Sequence, residues 1–223
     1  VASGSAQASC PADPSVNAPL VDAKDPATRH AFIRARMEVG ARRARAWSLA
    51  WGVTYGAAAV AQLTAAPFVS PDTRKDLYVG ASSALLGASI RTFAVPRVIR
   101  ERRRLARRAD TDPCAALQAA EQAMARSAKS EAFGHSLWLH LGALVYNAGI
   151  GVVLGVALHR PVSGARQASI GATVGQIMIL TQPTTMLRAL DEYRHGRLSG
   201  PQRGAFVPLV LPGGAGVGFV LHL

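Results

Sequence analysis

Three long stretches of this chain carry no charged side chain, and they limit the folds open to it. Ala46 to Ser70, Phe133 to His159 and Gln167 to Leu187 contain no Asp, Glu, Lys or Arg. Each matches or exceeds the ~20 residues an α-helix needs to cross ~30 Å of hydrocarbon. A fourth stretch, Leu77 to Ile90, is shorter, and extending it to Val95 takes in Arg91. A guanidinium near a helix end can snorkel to an interface, so Arg91 is compatible with a span. The pattern predicts an all-α fold, a polytopic membrane bundle of about four transmembrane helices in two hairpins. The soluble alternative is an Ala-rich helical bundle, and the run lengths weigh against it.

A fifth run, Gly204 to Leu223, is apolar but holds Pro208, Pro212, Gly213, Gly214, Gly216 and Gly218. These residues oppose a continuous helix. The tail reads as two extended segments around a turn, with a short β-hairpin, a re-entrant segment and a poor fifth span as its alternatives. The runs are rich in Ala, Gly, Ser and Thr, which suits close helix packing.

Composition narrows the class further. Charged residues are 17% of the chain and hydrophobic residues 49%. Soluble domains average ~25% charged, and a disordered chain would be more polar still. Two cysteines, Cys10 and Cys114, do not make a disulfide scaffold. They are expected to be free, with pairing in an oxidising compartment as the alternative.

Asp25-Pro26, Ser70-Pro71 and Asp112-Pro113 each place a capping side chain before a proline. That is the N-cap and N1 signature of a helix start. One helix should run from Pro26 through a basic segment into the first span. The next should begin at Pro71, and a third at Pro113, stopping near Gly134. Pro183 should kink the fourth span. The resulting divisions are a flexible N-terminal segment (1–24), a basic helix with the first hairpin (25–96), a basic amphipathic connector (97–132), the second hairpin (133–188), and a polar loop with the apolar tail (189–223). Basic segment then hairpin occurs twice, with residue similarity too thin to establish a duplication.

Arginines cluster before the first span, between the hairpins and after the fourth span: 17 on one side of a four-span layout against four Lys or Arg on the other. The positive-inside rule places the basic segments in the cytoplasm, in a bacterial inner membrane. The opposing sign is VASGSAQASC, which resembles the small-residue end of a signal peptide and would put the N-terminus in the periplasm. The dense run from Arg97 offers Arg100, Arg103, Arg104, Arg107 and Arg108 to anionic lipid headgroups, at ~1 kcal/mol per residue near the surface. Membrane topology accounts for this charge without a nucleic-acid partner.

Within the spans, His140, Asn147, Gly151 and Gly155 share one helical face. They are candidates for a ligand site or, more plainly, for a packing seam against another helix. Gln176 and the Gln182-Pro183 break are further candidates, since broken helices line sites in some transporters. Bis-histidine haem is disfavoured because His135 and His140 lie on one span, and no cofactor or metal is expected. No P-loop, GxGxxG, HExxH, CxxC or GxSxG occurs. The expected role is a structural or accessory membrane subunit, a homo-oligomer or a partner of another subunit, associating through small-residue faces. A small oligomeric transport or channel module is the alternative. A lipid-modifying enzyme using His140, Asn147, Asp191, Glu192 and His195 is third.

Overall fold

Asp-Pro and Ser-Pro steps set three of the helix starts. In the computed structural model, which describes residues 10–108, 112–198 and the backbone of 204–211 and 214–221, Asp25 accepts from Thr28 N, Ser70 from Thr73 N, and Asp112 from Cys114 N and Ala115 N. The helices are α1 (Pro26–Ala65), α2 (Pro71–Phe93), α3 (Arg97–Ala106), α4 (Pro113–Gly134), α5 (Leu137–Val152), α6 (Pro161–Leu180) and α7 (Thr185–Arg194). A π-helical turn over Val153–Ala157 continues α5. The tail pairs β1 (Gly204–Leu211) antiparallel to β2 (Gly214–Leu221), with Gly204 opposite Leu221 and Leu211 opposite Gly214. The described body is therefore all-helical, with one appended strand pair.

The helices form two parts, a head and a stem. In the head, the first half of α1 packs on α4, and each also holds the short helices α3 and α7. Ile33, Met37, Ile99, Leu117, Met124, Met186 and Tyr193 make its core. The stem consists of α1 from Trp47 onward with α2, and α5 with α6. By length and composition one helix among the described residues, Leu137–Ala157, is long and apolar enough to cross a membrane. Ala, Gly, Thr and Gln dilute the other stem helices.

The plan of the chain repeats. Counted from Pro26 and from Pro113, positions 7, 11, 14, 15 and 18 are buried in both α1 and α4: Ile33, Met37, Gly40, Ala41 and Ala44 against Ala120, Met124, Ser127, Ala128 and Glu131. Each long head helix feeds a stem hairpin, which returns through Pro96 or Pro183 into a ten-residue head helix.

Several expectations are corrected here. From Cys10 to residue 24 the N-terminal segment is not a flexible lead: it folds across the head, burying Val16 and Val21, and Cys10 is disulfide-bonded to Cys114. The rest of that segment (1–9) and Arg203 lie outside the described residues. The 97–132 segment is more than a basic amphipathic connector, because α4 supplies the head's central helix. Pro183 ends the span rather than kinking it, since α6 stops at Leu180 and α7 starts at Thr185. Residues 189–194 are helical within α7, not loop.

A buried polar cluster fastens this N-terminal strap, from Cys10 to residue 24, to the head. Arg29, wholly buried, bonds Glu121 Oε1 at 2.5 Å, Tyr193 Oη at 2.9 Å and the Cys10 carbonyl at 2.6 Å. Tyr193 donates its hydroxyl proton to the same carboxylate, and Asp13 N donates to Glu121 Oε2 at 2.7 Å. Burial and the neighbouring carboxylate push the Tyr193 hydroxyl far above its ordinary range. Glu101 gathers a second group of charges. Burial would raise its carboxyl, but Arg126 at 3.0 Å, with Arg104 and Arg97, holds it below the usual range. Several arginines are thus paired within the chain, including Arg102 on Glu38 and Arg36 on Glu192.

Glu131 caps α7 where head meets stem, accepting from Met186 N at 2.8 Å and Leu187 N at 3.1 Å. Burial pushes its carboxyl up to about 7 against those two bonds. Arg91 and Arg97 line the same small cavity. The folded pKa lies above the unfolded value near 4.5, so the folded state holds the extra proton between the two. Stability therefore falls as pH rises from about 4.5 through 7. Glu131→Gln should flatten this slope and raise stability at pH 8 by ~1–3 kcal/mol. Thermal melts of both proteins from pH 5 to 8 measure it, and parallel curves would assign the slope elsewhere.

Candidate functional site

Small residues let the two helices of each stem hairpin approach, and amide side chains fill the gap between them. His140 Nδ1 bonds Gln176 Oε1 at 2.5 Å, and Gln176 Nε2 donates to the His140 carbonyl at 3.2 Å. Asn147 donates to the Ala143 carbonyl of its own helix at 2.7 Å. Its carbonyl oxygen lies over Gly171, where any Cβ would overlap it. Gln62 and Gly80 repeat that relation in the first hairpin. The glycines occupy matching strings, Val79-Gly80-Ala81-Ser82 and Ile170-Gly171-Ala172-Thr173.

Each hairpin also sends a tyrosine into the other. Tyr55 Oη reaches Met178 Sδ at 3.6 Å, and Tyr146 Oη reaches Ser83 Oγ at 3.2 Å. The indole N–H groups of Trp47 and Trp51 both donate to Thr181 Oγ1, at 3.3 and 3.2 Å. Between the hairpins lies a cavity of about 450 Å³, with Tyr55, Gln62, Ser83, Tyr146, Asn147 and Gln167 among its polar lining. Arg91 closes its head end, and among the described residues no carboxylate or imidazole lines it. Such a lining offers hydrogen bonds to a neutral, largely apolar guest. It supplies no general base and no carboxylate–imidazole pair.

No protein-family model, curated protein or solved structure matches this chain.

The remaining candidates fall in three places. Gly151 and Gly155 face α6 of their own hairpin, not an outside helix. A Cβ on Gly151 would lie 2.9 Å from Ala168 Cβ and 3.0 Å from the Gly164 carbonyl. Gly164 is tighter still: its Cβ would overlap the Gly151 carbonyl and approach Gly155 N at 2.9 Å. Backbone cannot swing aside as a side chain can. Gly164→Val should therefore pry the hairpin apart at a cost of ~1–3 kcal/mol. Gly142→Val, in open space, is the matched control. Midpoints of thermal unfolding in detergent compare them.

Gln182 lays its amide over Gly134, and its carbonyl receives His135 Nε2 at 3.2 Å. The Pro183 break is thus closed by side chains rather than open to a pathway. Asp191, Glu192 and His195 belong to α7 in the head, whereas His140 and Asn147 belong to the stem, so the fold does not assemble them as one site. His135 caps the end of α4, off the α5 helix that carries His140. Among the described residues no three His, Cys, Asp or Glu side chains are grouped to hold a metal. Of the headgroup candidates, Arg104 engages Glu101, while Arg100, Arg103, Arg107 and Arg108 are exposed on or just after α3.

Sequence reasoning passed over Tyr55 and Tyr146. The signal was their common spacing: each stands 25 residues before the glycine of its hairpin's Gly-Ala string.

Proposed function

We propose that this chain is an integral membrane protein of non-catalytic, accessory type, whose four stem helices lie in the bilayer and whose basic head stands outside it. One observation carries the reading. Apart from Leu20 and Phe133, the large exposed apolar side chains among the described residues belong to the stem or its helix ends. Trp138 is 77% exposed, Val145 71% and Leu49 66%, on a part of the molecule with few buried side chains of its own. A monomer in water rarely shows so extended an apolar surface. Lipid would cover it, with Arg91 and Trp47 at one boundary and the Arg160–Asp76 pair, at 3.0 Å, near the other.

The head's compartment follows from Cys10–Cys114. Structural disulfides persist in oxidising surroundings. The reading therefore puts the head on the periplasmic or extracellular side, against the positive-inside expectation. Partners of this accessory subunit would be the bilayer with its anionic headgroups, and another membrane chain or a second copy. A transport module is the second reading, favoured by the cavity between the hairpins. Alkaline extraction of membranes tests the first claim: the chain should stay in the pellet, and release into the supernatant would reject it. Solute flux in proteoliposomes, lowered by Tyr146→Trp filling the cavity, would favour the second.

A further inference from the structure

At the junction of head and stem, a groove of about 410 Å³ runs between α1, α2 and α3. Arg45, Arg91 and Arg103 line it from the three helices, one each. Its lining holds no Asp or Glu, and its apolar wall includes the exposed Leu49 and Val53. None of the three guanidiniums has an ion pair with a described carboxylate, although neighbouring Arg97, Arg102 and Arg104 each have one. Arg91 stacks over the Trp47 ring at 5.2 Å, which orients its guanidinium.

The repeated plan supplies a contrast. Where the second hairpin meets the head, the corresponding junction packs Gln182 on Gly134 and holds the Glu131 carboxyl rather than three arginines of its own. Three unpaired guanidiniums above an apolar wall fit a phosphodiester that carries acyl chains.

We propose that this groove binds one anionic phospholipid, its phosphate held by Arg45, Arg91 and Arg103 and one acyl chain lying along Leu49 and Val53. The inference rests on the stem lying in the bilayer.

The test uses full-length protein in nanodiscs of phosphatidylcholine with a minority of phosphatidylglycerol, and native mass spectrometry of the lipid retained on release. Wild type should keep one phosphatidylglycerol, enriched over its share of the mixture. Arg45→Gln/Arg91→Gln/Arg103→Gln should lower that enrichment at least about tenfold. Arg34→Gln/Arg42→Gln/Arg188→Gln removes the same charge from exposed positions outside the groove and should leave it intact. The single variant Arg103→Gln changes an exposed side chain with no ion pair among the described residues and should show part of the loss, so misfolding of the triple variant would not hide the effect. Equal loss in both triple variants would reduce the effect to diffuse charge and overturn the site. Displacement of the lipid by millimolar inorganic phosphate would overturn it too, marking a phosphate site instead. Failure of membrane embedding would appear separately, as release on alkaline extraction.

Discussion

Glu121→Ala should cost ~3–5 kcal/mol and lower the unfolding midpoint by roughly 10 °C. Arg29 is wholly buried, and this carboxylate is its only charged partner among the described residues. Deleting the carboxylate strands a guanidinium in the core and removes the acceptor for Tyr193 and for Asp13 N. Arg29→Met/Glu121→Leu should recover part of the loss, because an apolar pair escapes the desolvation penalty. Recovery stays incomplete because Asp13 N still lacks its acceptor. Circular dichroism melts in detergent measure the series. A single variant as stable as wild type would mean that water reaches this cluster.

Reduction of Cys10–Cys114 should be nearly as damaging. The two cysteines are 104 residues apart, and in the chain-entropy view a loop of that size is worth ~4.7 kcal/mol. The bond ties the strap to the first turn of α4, beside the carbonyl that Arg29 holds. Cys10→Ala/Cys114→Ala should lower the denaturant midpoint, and reductant should lower that of wild type to match. An impermeant thiol reagent on intact cells adds the location. Labelling only after reduction places the head outside the cytoplasm. Labelling that requires an opened membrane, with no reductant, would return it to the cytoplasm and deny the bond there.

The two predictions concern what the sequence left unread. Helix starts were legible because their causes are local: a side-chain acceptor and a proline one residue apart fix N-cap and N1 wherever the chain goes. The end of α4 at Gly134 was legible for the same kind of reason. So was the apolar character of the stem, since hydropathy needs no neighbours. The 40-residue length of α1 was legible because no proline falls between Pro26 and Pro67.

The tertiary structure decided the rest. Arg29, Glu121 and Tyr193 are separated by 92 and 72 residues, and only the packing of α1, α4 and α7 joins them. In the sequence Arg29 was one more basic residue in a topological count. The cysteines looked unrelated because nothing local places a strap residue beside the start of α4. Gly151 and Gly155 announced a seam by spacing alone, but which helix fills a seam is a question of chain reversal at Pro161, and the answer was the same hairpin. Capping, breaking and hydropathy are properties of neighbouring residues, and the sequence by itself determined them. Pairing, burial of charge and the choice of facing helix are properties of distant residues brought together, and those belonged to the fold.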